Sequence, residues 1–156
     1  MLRFLPALGV CASILASGLP LKAQTCTPLS LVGGEGNQVT KTVSQPTIPG
    51  PLGVKITRNN WNTDWAVPGG KVFRRYVATI TAVDGGTFDI RVFLKYSDQS
   101  ADEIFNQNET ELVIGRPLTV EGTPRSAKEQ PFGVNIFVNG LASIGRTYTA
   151  SVKACQ

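Results

Sequence analysis

The chain has 156 residues, with 15 Lys and Arg against 11 Asp and Glu, which gives a formal net charge of +4. It contains three cysteines, one methionine and no histidine. The lack of histidine excludes Ser-His and Cys-His nucleophilic catalysis and histidine-ligated metal sites, and the length suits one ordinary domain.

The first 23 residues have the pattern of a cleavable secretory signal peptide. Arg3 precedes an apolar stretch over 4–21, and a small residue, Ala23, follows. We predict cleavage after Ala23. Cleavage after Gly18 is one alternative, and an uncleaved anchor is another, because the stretch approaches the ~20 residues that span a bilayer.

Cleavage would lower the net charge, because Arg3 and Lys22 would be lost and 13 basic residues would face 11 acidic ones, for a charge of +2. This charge predicts no nucleic-acid partner. We expect residues 24–156 to form one β-sandwich domain without a transmembrane span, exported to the periplasm, a lumen or the extracellular space.

Two cysteines remain after the predicted cleavage, because Cys11 lies in the signal peptide. Cys26 and Cys155 lie near the two ends of the mature chain, and an even pair in an exported protein predicts a disulfide. A bridge over so long a loop would stabilise the fold by about 4–5 kcal/mol in the chain-entropy model. Two buried free thiols are the alternative.

Short β-branched and aromatic runs recur between clusters of Gly, Pro, Asn and Asp, which is typical of a sandwich or barrel. We predict an all-β fold, a single antiparallel β-sandwich of about seven to eight strands that is immunoglobulin-like or jelly-roll-like, with at most one short helix near 100–106. The predicted strands are 29–32, 38–44, 54–58, 72–83, 87–97, 112–121, 134–139 and 146–154.

The segment Asp84-Gly85-Gly86 predicts a β-hairpin. In the strand that follows, every second residue from Phe88 to Tyr96 is apolar. A three-residue loop with a left-handed glycine aligns the apolar residues from Tyr76 to Ala82 with that face, and burial favours this register over a one-residue slip.

The same register sets Arg75 opposite Lys95, with Arg91 on the same outer face. Like charges that face each other are unfavourable unless something neutralises them. These three residues are therefore a candidate patch for an anion or an acidic partner. A solvated face is the interpretation we prefer.

Segment 58–65 combines two tryptophans with several asparagines. In composition it resembles a sugar-binding loop, where an aromatic face stacks on a pyranose and amides bond its hydroxyls. The candidate ligand residues are Asn60, Trp61, Asn62, Asp64 and Trp65. Burial beneath the sheets is the commoner fate of tryptophan and the preferred interpretation.

Segment 98–109 has oxygen-bearing side chains at the spacing of a calcium-binding EF-hand loop. The candidate ligands are Asp98, Ser100, Asp102, Asn106 and Glu109. Glu103 occupies the position where that loop needs glycine, and a strand precedes it rather than a helix. We prefer a solvated acidic loop, and calcium is the only cofactor that the sequence suggests.

No combination of residues forms a recognisable catalytic site. We expect an exported, non-catalytic module with a binding or interaction role, whose partner is a protein or a glycan. One alternative is a structural accessory subunit of an envelope or surface assembly. Another is a carbohydrate-binding domain that uses Trp61 and Trp65.

Overall fold

The computed structural model describes residues 24–45, 47–57 and 59–156, so the predicted signal peptide lies outside the described residues. Two 3-10 turns, Pro51–Gly53 and Leu141–Ser143, interrupt an otherwise extended chain. The strands are β1 (Cys26–Pro28), β2 (Ser30–Leu31), β3 (Gln38–Thr42), β4 (Thr47–Pro49), β5 (Lys55–Thr57), β6 (Asn62–Ala66), β7 (Arg75–Ala82), β8 (Gly86–Lys95), β9 (Ala101–Leu112), β10 (Leu118–Gly122), β11 (Gly133–Asn139) and β12 (Thr147–Cys155).

The strands form two antiparallel sheets and a small ribbon. In the first sheet, β12 lies between β7 and the pair β1 and β3, and β10 forms the other edge beside β7. The second sheet has the order β2-β6-β11-β8-β9, while β4 pairs with β5 alone. The predicted antiparallel β-sandwich is therefore confirmed.

The core lies between the two sheets because each long strand turns every second side chain inward. Ile80 and Ala150 come from the first sheet, and Ile90, Val92 and Ile136 from the second, and all are buried. The inward faces predicted for β7, β8 and β12 are the ones observed.

The predicted hairpin between β7 and β8 is wrong in its pairing. β7 pairs with β12 and β10, and β8 pairs with β11 and β9, so residues 83–85 cross from one sheet to the other. The connection has three residues, as expected, but they are 83–85 rather than 84–86, and Gly85 has the expected left-handed conformation (φ 68°). The two apolar faces meet across the core, and other strands with the same alternation supply the ladder partners.

The sequence allowed at most one short helix near 100–106, and no helix forms there, since residues 101–106 begin strand β9. Pairing along β8, which sets Asp102 opposite Leu94, overrides the local helical preference. Burial adds to this, because Ile104 packs against the core and lies next to Gly122 of β10.

The predicted disulfide between Cys26 and Cys155 is confirmed. The two residues are directly opposite each other on β1 and β12 and lie 129 positions apart in sequence. Within the described part of the chain, no helix is both long enough and apolar enough to cross a membrane.

Candidate functional site

Two central strands of the second sheet carry polar and aromatic side chains on the side away from the core. In β8, Arg91, Phe93 and Lys95 alternate with fully buried side chains, and Asn135 and Phe137 do the same in β11. Strands β6 and β9 extend this surface. We call it the aromatic–polar face, formed by Asn62, Asp64, Arg91, Phe93, Lys95, Glu103, Asn106, Asn135 and Phe137.

One row of this face crosses all four strands through Asp64, Asn135, Phe93 and Glu103. Asp64 Oδ1 accepts hydrogen bonds from Asn135 Nδ2 at 3.1 Å and from Lys95 Nζ at 3.2 Å. The carboxylate is therefore held in place and its charge is neutralised, while Phe93 remains half-buried beside it.

The next row runs through Asn62, Phe137, Arg91 and Asn106. Arg91 is exposed and forms no ion pair with any described residue. Asn106 Nδ2 donates to Glu103 Oε1 at 2.8 Å. This row presents one ring flanked by an amide on one side and a guanidinium on the other.

The two tryptophans of the predicted sugar-binding segment have different positions. Trp65 is 0% exposed and donates from Nε1 to the main-chain oxygen of Asn37 at 3.0 Å. Trp65 is therefore buried, as the preferred interpretation expected, and does not form an exposed sugar platform, because strand alternation turns it into the core. Trp61 is partly exposed and meets the ring of Phe137 edge-on, with centroids 5.9 Å apart.

The amide of Asn60 is occupied by the main chain. Its Oδ1 accepts from the amide of Ser44 at 2.9 Å, and its Nδ2 donates to the oxygen of Thr42 at 2.7 Å. Lys41 Nζ donates to the main-chain oxygens of Asn60 and Asn62 at 2.9 and 2.7 Å, and burial lowers the pKa of this ammonium. Asn60 is thus a structural residue, whereas the side chain of Asn62 is exposed.

The acidic residues of the predicted calcium site surround an arginine. The guanidinium of Arg125 bonds Asp102, Glu129 and Asp98 at 2.6, 2.8 and 3.4 Å and lies 4.0 Å from the ring centre of Tyr96. Hydrogen bonds from Arg125 lower the pKa of Asp102, whereas those from the Ser100 side chain and amide lower that of Asp98. The carboxylates therefore already have a cation.

The remaining calcium candidates, Asn106 and Glu109, lie along the extended strand β9 and do not join Asp98. A coordinating loop cannot form, because residues 101–107 are held in the ladder with β8. In the part of the chain that the structure covers, no group of three His, Cys, Asp or Glu residues could hold a metal ion. These residues therefore do not form the calcium-binding loop that their spacing suggested.

The predicted anion patch is divided between the two sheets. Arg75 lies in the first sheet and pairs with Glu121 at 2.9 Å, while Lys95 lies in the second and pairs with Asp64. They do not face each other because β7 and β8 are not neighbours. Only Arg91 and Lys95 share a surface, which is the aromatic–polar face.

That face unites residues from two candidate sets that the sequence kept apart, with Asn62 and Asp64 joining Arg91 and Lys95. Sequence reasoning missed Phe137 and Asn135 as site residues. The available signal was an asparagine within the apolar run Val134–Val138, where a polar residue on a central strand must lie on the outer side.

Comparisons of the sequence with protein-family models and with curated proteins find no match. Among solved structures, a family 29 carbohydrate binding module is similar over 85% of this chain and 89% of its own, with 10% identity and a TM-score of 0.43. The CBM22-1 and GH10 modules of Clostridium thermocellum endo-1,4-beta-D-xylanase 10B, complexed with xylohexaose, are similar over 83% of this chain, with 10% identity and a TM-score of 0.40. This chain spans 28% of that xylanase chain. Carbohydrate binding and the bound xylohexaose are properties of those proteins.

Proposed function

We propose that the protein is a non-catalytic binding module that holds a polysaccharide on its aromatic–polar face. The observation that carries this proposal is the position of Phe93 and Phe137. Both rings point outward from the two central strands of the second sheet, and hydrogen-bonding side chains lie beside them in the ladder.

The two rings suit the apolar side of a sugar. Phe93 and Phe137 are diagonal neighbours on adjacent strands, about 7–8 Å apart at that register, which is within reach of aromatic side chains. Aromatic rings on an open sheet can each contact one unit of a chain-like ligand. An open face suits a polymer better than a single small molecule, whose sites are usually enclosed.

The polar groups suit the hydroxyl edge of a sugar. Asp64 is held by Asn135 and Lys95, so its second oxygen is pre-oriented without conformational cost. Asn62 adds an exposed amide beside Phe137. Fixed acceptors and donors give such a site its specificity.

Binding is tested by affinity electrophoresis and calorimetry against a panel of soluble neutral and acidic polysaccharides. We expect at least one to bind, and Phe93→Ala and Phe137→Ala each to weaken it by about tenfold or more, which corresponds to about 1.4 kcal/mol. The fluorescence of Trp61 should change on binding, because its ring contacts Phe137.

The matched control is Val77→Ala, which truncates a half-exposed apolar side chain on the outer face of the first sheet. It should bind like the unmodified protein. Equal binding by Phe93→Ala, Phe137→Ala and this control would contradict the proposed face. A folded protein that binds no member of the panel would contradict the proposed function.

We also propose that residues 1–23 direct export and are removed after Ala23. The disulfide supports this, because structural disulfides persist in oxidising compartments. Amino-terminal sequencing of the protein recovered from its source should begin at Gln24. A start at Met1 would contradict cleavage.

A further inference from the structure

One end of the sandwich has an apolar surface that the proposed function does not use. Three connections meet the solvent there, namely 83–85 between β7 and β8, 113–117 between β9 and β10, and 140–146 between β11 and β12. We call these loops the apolar tip. Their large apolar side chains have exposures from 44% to 85%, and they are Val83, Val113, Ile114, Leu141 and Ile144.

Loop 83–85 lies beside each of the other two loops. A Cβ added at Gly85 would lie 3.6 Å from Cγ1 of Ile114, and one added at Gly86 would lie 3.4 Å from Nε of Arg146. In addition, the amide of Val83 donates to the main-chain oxygen of Thr147 at 2.8 Å. The loop 83–85 therefore lies next to both others.

Two arginines accompany these apolar side chains. Arg116 and Arg146 form no ion pair with any residue that the structure describes. The carboxylate within the loops, that of Asp84, accepts a hydrogen bond from the amide of Thr147 at 2.8 Å and so is bound to the protein's own main chain. The tip thus presents aliphatic side chains with two arginines against one carboxylate, which leaves it with a net positive charge.

We infer that the apolar tip inserts into the headgroup region of an anionic lipid bilayer. Contiguous exposed apolar surface marks a protein or membrane contact. A permanent protein interface uses about 20–30 residues a side, more than these three short loops supply. Aliphatic side chains that insert among the lipids, with arginines that pair with anionic headgroups, are typical of an interfacial membrane contact, and the apolar tip offers both.

The test is co-sedimentation of the purified exported protein with vesicles of phosphatidylcholine alone or mixed with phosphatidylglycerol. We expect binding to the mixed vesicles that weakens with added salt. Ile114→Ser with Leu141→Ser should reduce it by about tenfold or more, because two aliphatic side chains leave the membrane. Arg116→Gln with Arg146→Gln should remove the preference for the anionic lipid.

The control is Val72→Ser, which replaces an exposed valine on the connection that precedes β7. It should bind vesicles like the unmodified protein, and all variants should keep the same melting temperature within a few degrees. No binding to mixed vesicles, or equal binding by Ile114→Ser with Leu141→Ser, would overturn the inference. Concentration-dependent self-association that this pair of substitutions abolishes would also overturn it, because the tip would then be a protein interface.

Discussion

A close contact between the two sheets, where β9 meets β10, provides a sharp test of the fold. Gly122 is the last residue of β10, and a Cβ placed there would lie 2.5 Å from Cδ1 and 2.9 Å from Cγ2 of Ile104 in β9. Non-bonded contacts under 3.0 Å essentially never occur at real Cβ atoms, so Gly122→Ala must displace Ile104 or the strand itself.

The expected cost follows from two opposing effects. Overpacking a well-filled site typically destabilises by about 1–3 kcal/mol. Alanine in place of glycine recovers about 0.4–1 kcal/mol from the unfolded chain. We therefore expect Gly122→Ala to lower the free energy of unfolding by about 1–2 kcal/mol, and the melting temperature by several degrees for a domain of this size.

The assay is urea unfolding, monitored by the fluorescence of the buried Trp65, for the two single variants and the double variant of Gly122→Ala and Ile104→Ala. Since Ile104→Ala removes both of the nearest atoms, Gly122→Ala should cost at least about 1 kcal/mol less in that background. Gly69→Ala is the control, because a Cβ there meets no atom within 4 Å.

Equal stability of Gly122→Ala and Gly69→Ala would refute the close approach of β10 to β9. A full cost that Ile104→Ala leaves unchanged would also refute it, because the strain would then arise from the backbone of Gly122 rather than from the facing side chain.

Three further predictions concern the disulfide, the stability at low pH and the stability at high pH. Replacing Cys26 and Cys155 by serine should lower the free energy of unfolding by about 5 kcal/mol in the chain-entropy model for a loop of this length, measured by denaturant titration; an unchanged midpoint would show that the bridge does not form. Hydrogen bonds from Arg125 depress the pKa of Asp102, so stability should fall as the pH drops below the ordinary carboxyl range. Arg125→Gln should return the pKa of Asp102 toward its usual value in a carboxyl NMR titration. An unchanged pKa in that variant would contradict the contact. Burial raises the pKa of Tyr148 to about 12, so the folded state keeps its proton longer than the unfolded state and stability should decline as the pH rises from about 10 to 12. Burial also raises the pKa of Tyr76, so Tyr148→Phe should reduce that decline without removing it. An identical decline would contradict the burial of Tyr148 as a cause.

Much of the fold could be predicted from residue alternation, because a period of two determines which side chains share a face. The inward sets of β7, β8 and β12 were predictable in this way. Alternation does not specify which strand lies alongside, and the turn Asp84-Gly85-Gly86 fits a hairpin and a crossing between sheets equally well. Because β7 and β8 were wrongly paired, Arg75 was also predicted to lie in the same sheet as Lys95.

Two of the strands that the sequence analysis missed, β6 and β9, consist mostly of polar residues. Strand β6, Asn62–Ala66, has the composition of a loop, yet its Trp65 and Thr63 are buried while Asn62 is exposed. Strand β9 likewise has an exposed, polar edge. Its partner β8 specifies its conformation, and such long-range information is not contained in a local window.

The position of β12 has a consequence for how the molecule must be made. This strand is the last of those described, yet it joins β1, β3 and β7, and it carries the second cysteine of the bridge. During synthesis from the amino terminus, the first sheet therefore lacks its central member until residues 147–155 emerge. Folding dominated by such distant pairings is slow. The first sheet should therefore assemble only after β12 has been synthesised.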